Sequence, residues 1–402
     1  MNSVIFRLDD VSEVASGNPA PQETKDFADN GFPFIRMQDV GREHHTSNLR
    51  DSVDKVNSDA VSRYRLRLFP AGSVLIPKSG ASVNLNHRAM LGNDAYVVSH
   101  LAVVVPNREK LLPEYLYFWS LAYDPRSQAQ TTSLPSLPLS LIKAAKIPVP
   151  SIDKQRRIID ILSRAEGIVR LRREAQNKAA EIIPALFVDM FGDPATNPKG
   201  WPIRKVSDFV ARFEGGKNIQ AGTENGSAYR ILKVSAATSG IYRESESKPA
   251  PNGYTPPASH IVLAGDMLFS RANTKELVGA TAIVEQTNGT TLLPDKLWRF
   301  AWSEPVEQTY MHALFQSAYV RRELGGLSSG TSASMRNISQ GKLFGLNLPV
   351  APYAEQHKFA ERAATICSIK TQQTEATQKA NATFDALLAS FFFQPSVERL
   401  RV

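Results

Sequence analysis

The stretch Ile147-Pro-Val-Pro-Ser-Ile-Asp-Lys-Gln155 returns in altered form as Leu348-Pro-Val-Ala-Pro-Tyr-Ala-Glu-Gln356, at an offset of 201 residues (356 − 155). The same offset carries Pro184-Ala-Leu-Phe-Val-Asp-Met-Phe191 onto Asp385-Ala-Leu-Leu-Ala-Ser-Phe-Phe392. It also carries Ile158, Leu162, Ala165, Ile168, Ala175 and Ala179 onto Phe359, Ala363, Ile366, Ile369, Ala376 and Ala380. One apolar register shared without a gap marks an internal repeat.

Both stretches read as helices. Steps of three and four through 158, 161, 165, 168, 172, 175, 179, 182 and 186 meet apolar residues except at Arg172. This is the a/d seam of a coiled coil with one polar position. In the second copy Gln373 stands where Arg172 stands in the first. Matching polar seam positions predict two helices that choose each other in a fixed, antiparallel register, and the alanines in mid-seam allow close approach. Pro148, Pro150, Pro349 and Pro352 block backward extension of the helices. Gly192 and Pro194 stop the first one, and Pro184 predicts a kink in its last turns. Two core helices of an α-bundle are the plainer alternative.

A module precedes each helix. The expected division is a first domain at 1–150, a helix at 151–193, a second domain at 194–350, a helix at 351–395 and a tail at 396–402. The fold class is therefore α+β, with two mixed α/β modules, two long paired helices and a pseudo-twofold repeat. Phe34–Met37, Ser73–Ile76 and Tyr96–Val105 are β-rich in the first module. Tyr229–Val234, Asp266–Ser270 and Leu297–Trp302 are β-rich in the second. Gly72-Ser-Val-Leu-Ile-Pro-Lys78 resembles Gly265-Asp-Met-Leu-Phe-Ser-Arg271. A Tyr-containing helix follows each, at 114–119 and 308–314, and then a loop rich in Ser and Thr, at 130–133 and 328–334. The frame is shared while the loops differ.

At 402 residues, with 42% hydrophobic and 21% charged residues, two or three globular domains are expected. Cys367 stands alone, which excludes a disulfide framework, argues against thiolate zinc and fits a reducing cytoplasm. No apolar run approaches the roughly 20 residues of a membrane span. Met1 to Asp10 shows no secretory pattern. A formal charge of +8 points to a polyanionic partner.

Catalytic constellations are missing from the sequence. It contains no phosphate loop, no Gly-x-Gly-x-x-Gly turn, no Asn/Asp-Pro-Pro-Tyr/Phe pattern of amino-methyltransferases and no His-Glu-x-x-His spacing. Neighbouring His44 and His45 read as surface residues. Cys367, next to seam residue Ile366, reads as a packing residue. No metal site and no catalytic residue is expected.

On these residues the chain resembles a known family. Leu141 to Phe191, with Ile147-Pro-Val-Pro and Gln155 ahead of a long helix, is similar to the central conserved region of type I restriction-modification specificity subunits (the HsdS family). Gly330-Thr-Ser through Asn337-Ile338 to Leu348-Pro-Val and Gln356 is similar to their distal conserved region. Ala351, where the first copy has Pro150, is a small departure. The resemblance implies a non-catalytic, cytoplasmic phage-defence subunit with two target-recognition domains on double-stranded DNA, one per half of a bipartite site, and the helices as spacer. It implies two modification subunits using S-adenosylmethionine and restriction subunits using ATP and Mg, with no cofactor in this chain.

Candidate DNA contacts follow from loops after strands. In the first module these are Lys78, Ser79, Asn84, Asn86, His87 and Arg88; in the second they are Arg271, Asn273, Thr274 and Lys275. Lys217 is a candidate phosphate contact. Arg can pair with guanine and Asn with adenine through two hydrogen bonds each. The arginines of the first helix read either as a solvated face or as a docking surface or DNA track. A helix of roughly 58 Å corresponds to about 17 base pairs as an upper limit on half-site spacing. Two other classes stay open: an adaptor whose modules bind protein, and a lone adenine methylase, which would need a cofactor motif.

Overall fold

The computed structural model describes residues 4–42, 46–126, 135–223, 227–332 and 335–393. The chain forms two compact units, Met1–Arg173 with Glu375–Val402, and Glu174–Thr374. Each long helix, Ile152–Phe191 and Tyr353–Phe392, is divided between them.

In the first unit the main sheet runs Ser12–Ser16, Leu101–Pro106, Val74–Pro77, Ala89–Leu91, Thr46–Leu49. In the second it runs Val210–Gly215, Leu297–Trp302, Met267–Ser270, Thr281–Ile283. The first four strands share order and antiparallel sense in the two units. A smaller sheet repeats as well: Phe27–Ile35 lies between antiparallel Asp54–Val56 and parallel Ala95–Val97, as Arg230–Leu232 lies between Ser247–Pro249 and Thr291–Leu292. The weak sequence likeness of the modules thus conceals one topology.

Alternation explains the layering. Ala102 and Val104 join one core and Leu101 and Val103 the other, because successive side chains leave a strand on opposite faces. Trp298 and Phe300 likewise part from Leu297. One face of each main sheet packs on the helix Pro113–Ala122 or Gln308–Gln316 and on the long-helix segments of its own unit. The other face packs on the smaller sheet or its flanking segments.

The repeated motif turns out to be a clamp. A two-stranded ribbon leads into each helix, Val4–Arg7 with Lys146–Val149 and Ile203–Lys205 with Asn347–Pro349. Gln155 is fully buried: its Oε1 accepts Leu112 N–H at 2.9 Å, and its Nε2 donates to the Lys110 and Pro150 carbonyls at 2.8 and 3.0 Å. Gln356 accepts Glu307 N–H at 3.1 Å and donates to the Ala351 carbonyl at 2.8 Å. The Tyr115 hydroxyl donates to the Pro148 carbonyl, and the Tyr310 hydroxyl accepts Ala351 N–H. Tyr115 meets Phe392 edge-on, and Tyr310 meets Phe191, the residue 201 places earlier (392 − 191). Each module therefore grips the start of one long helix and the end of the other.

Within the second unit the helix segments run antiparallel. Gln176 bonds Thr374, while Phe187 packs on Phe359. The seam register differs from the expected one. Buried and half-buried residues fall at 158, 162, 165, 169, 172, 176, 179 and 183, and at 359, 363, 366, 370, 373, 377, 380 and 384. Ile158, Leu162, Ala165, Ala179, Phe359, Ala363, Ile366 and Ala380 keep their place, and Ala376 is half-buried. Ile168 and Ile369 are 54% and 49% exposed, and Ala175 is exposed too. The first helix carries a second apolar stripe, Ile161, Ile168 and Leu171, facing solvent. The step from Ile158 is four residues, to Leu162, and not three. Val169→Gln is expected to cost about 1–3 kcal/mol, whereas Ile168→Gln stays within about 0.5 kcal/mol. Thermal unfolding of the two variants checks this, and the reverse order would restore the expected register. The first helix continues through Pro184 to Phe191, and Gly192 then takes the left-handed conformation that closes it (φ 79°).

Candidate nucleic-acid interface

The candidate loops leave equivalent strand ends. Lys78 follows Val74–Pro77; its N–H bonds the His100 carbonyl at 3.0 Å and its carbonyl accepts Leu137 N–H at 2.8 Å. Arg271 follows Met267–Ser270; its N–H bonds the Lys296 carbonyl at 3.1 Å and its carbonyl accepts Ile338 N–H at 2.9 Å. One backbone socket therefore holds a cationic side chain in each module. Nearby, Gly17 and Gly216 are also equivalent: an added Cβ would fall 2.2 Å from the Val98 carbonyl and 1.7 Å from the Leu293 carbonyl. The next residue diverges. Asn18 is buried and ties down Arg67 and Val97, while Lys217 is exposed beside Pro294.

In the first module Lys78 is half-buried, and the Ser79 hydroxyl shares a 2.7 Å hydrogen bond with exposed His100. A short helix, Ser82–Leu85, displays exposed Asn84 and ends at half-buried Asn86, whose φ is 54°. Arg126 reaches the Asn84 carbonyl while paired with Asp124. Half-buried His87 is held below its ordinary pKa by burial and then by the Arg88 charge.

In the second module Arg271 donates to the Asp295 carbonyl at 2.7 Å and lies over the Trp298 ring. Asn273 donates to the Thr238 hydroxyl at 3.2 Å, and its Oδ1 accepts Thr274 N–H. Lys275 and Lys217 are exposed and have no ion pair among the described residues. Ala272–Asn273 pairs with Met335–Asn337, which pairs with Ser329–Ser332, so this Ser/Thr-rich stretch comes to the candidate loop. Residues 130–133 of the first module, His44, His45, Ala333, Ser334 and the tail lie outside the described residues.

One candidate is corrected. Arg88 is 1% exposed and spends its donors on protein acceptors, so it cannot present itself to a base. Two neighbours went unnoticed in the sequence, His100 and Lys296. His100 lies inside the β-rich run Tyr96–Val105 and Lys296 just before Leu297–Trp302, and the next residue of each pairs with a candidate strand end, Leu101 with Pro77 and Leu297 with Ser270. That placement was the available signal. Among the described residues no group of three or more His, Cys, Asp or Glu could hold a metal, and no helix is long and apolar enough to cross a membrane.

Residues 2–181 match the family model of the type I restriction modification DNA specificity domain. The chain is 28% identical over 229 residues to the type I restriction enzyme EcoEI specificity subunit of Escherichia coli, covering 56% of this chain and 38% of that one. It thus spans well under two-thirds of that relative's length. It is 24% identical over 308 residues to the MjaVIII specificity subunit of Methanocaldococcus jannaschii, covering 71% of each. Its fold is similar to that of a type I restriction-modification S subunit from M. genitalium, with a TM-score of 0.54, 10% identity, and 98% and 97% of the two chains covered.

Proposed function

We propose that the chain is a specificity subunit of the type I restriction-modification family and that it reads a bipartite DNA sequence, one half-site per module. The observation that carries this reading is the repeated socket of Lys78 and Arg271, one cationic strand end per module with different loops around it. The modules at 1–150 and 194–350 are the readers. The long helices pair along their length as an antiparallel coiled coil and set the distance between half-sites. The chain works in the cytoplasm without a cofactor of its own. Two modification subunits bring S-adenosylmethionine, and restriction subunits bring ATP and Mg.

Phosphate contacts supply affinity and base contacts supply specificity. Lys217 and Lys275 suit the first role; Ser79, Asn84, Asn86, Asn273 and Thr274 suit the second, with Lys78 and Arg271 at the junction. Mobility-shift selection with the chain and its methyltransferase partner on random duplexes tests the reading. A two-part motif is expected to be enriched; no sequence enrichment would overturn it. Lys217→Ala is expected to weaken binding to all duplexes alike and to lower the slope of log affinity against log salt by about 0.9. A change confined to one base position would make Lys217 a base reader.

A further inference from the structure

The devices that repeat at equivalent places hold the frame: Gln155 and Gln356, Tyr115 and Tyr310, Gly17 and Gly216. The reading loops are held differently. Arg88 closes the first loop from inside the protein. Its Nε donates to the Ser120 carbonyl at 3.1 Å, Nη1 to the His87 carbonyl at 2.8 Å, and Nη2 to the Tyr123 carbonyl and Asn86 Oδ1 at 3.0 and 2.7 Å. Ser120 and Tyr123 belong to the end of the helix Pro113–Ala122, where unpaired carbonyls gather partial negative charge.

Arg321 holds the second loop from a different element. It sits on the helix Ala318–Leu327, and its Nη2 donates to the Glu276 carbonyl of the second loop at 2.7 Å. At the loop's far end, a Cβ added to Gly279 would lie 2.8 Å from Leu324 Cδ1 and 3.2 Å from Arg321 Nη1, so the loop lies flat on this helix. Neither arginine has an ion pair among the described residues. Their positions are not equivalent. Arg88 directly precedes Ala89–Leu91, whose counterpart Thr281–Ile283 follows Ala280.

Burying a guanidinium without a carboxylate is unfavourable. Desolvation pulls Arg88 down to about 10 and lowers Arg321 as well. An apolar side chain of similar size would fill either place without that penalty. What arginine adds is direction, a rigid fork of five donors that fixes backbone acceptors. Features serving the fold repeat in register, whereas these two arise at different places and end on equivalent loops of the two modules.

We infer that Arg88 and Arg321 are positioning residues of the two reading loops, fixing each loop's backbone in the shape that presents its polar side chains to base edges without themselves touching DNA. This rests on the DNA reading proposed above. A site must be held within roughly 0.5 Å of its productive geometry to discriminate, so a loosened loop loses selectivity before it loses phosphate-driven affinity.

The test is Arg321→Met in the full chain, expressed with its methyltransferase partner, with methylated adenines mapped across the host genome and the variant's melting temperature measured. One half-site is expected to lose about tenfold in discrimination, with the other half-site, the spacing and the melting temperature kept. A motif identical to wild type, or loss of both halves together with the melting temperature, overturns the inference. The absence of any motif with the wild-type chain overturns the functional reading, and this inference with it. Arg88→Met puts the same question to the first loop. Because Arg88 is wholly buried, the half-buried Arg321 carries the decision alone if that variant does not fold.

Discussion

Gln155→Ala is expected to lower the stability of the first unit by about 3 kcal/mol, the cost of leaving one N–H and two carbonyls without the buried amide that serves them. Those groups are Leu112 N–H and the Lys110 and Pro150 carbonyls, and Gln155 is the side chain that serves all three. For a unit of this size the melting temperature should fall by roughly 6–12 °C. Gln155→Glu sharpens the test. The isostere fits the space and can still accept from Leu112, but it sets a carboxylate oxygen against two carbonyls in a buried place. It should therefore cost at least as much as alanine at neutral pH. A scan in which Gln155→Glu melts with wild type would show that Gln155 only fills volume.

The clamp also explains why the modules have diverged. Gln155 and Gln356 hold backbone atoms of the neighbouring module, and Tyr115 and Tyr310 hold backbone atoms of the lead-in to the helix. A junction made through main-chain groups does not specify which loop side chains lie beyond it.

The helices and the repeat were legible because apolar period and proline placement are local properties. The seam register was not. Ile161, Ile168 and Ala175 form as regular a series as Leu162, Val169 and Gln176, and a less polar one. Burial chose the second series because a half-buried Gln176 can bond Thr374. In the sequence Gln155 is only a motif marker, since nothing local says that a polar side chain at a helix start will be enclosed by main-chain partners. Arg88 misled for the same reason. It stands in a polar loop, and the helix end that absorbs its donors lies 32 and 35 residues further along the chain. Lys78 and Arg271 were found because strand, turn and cation are neighbours in sequence. The shared topology of the modules was nearly hidden, since strand pairing needs only the alternation of apolar residues and not their identity.

Exchanging residues 1–150 for the matching stretch of a relative with a different target is expected to replace one half of the recognised sequence completely. The clamp contacts of Gln155 survive such an exchange because they end on main-chain atoms at 110 and 112. The loop at 78–87 travels with the exchanged segment, while Arg271, Asn273, Thr274 and Lys275 stay behind. Both helices are kept, so the number of unread base pairs should not change. The most direct measurement is the map of methylated adenines in a host that carries the modification subunit with either the native or the exchanged chain. The account predicts two motifs sharing one half-site and one spacing and differing wholly in the other half. A map in which both halves change, or neither does, would contradict it.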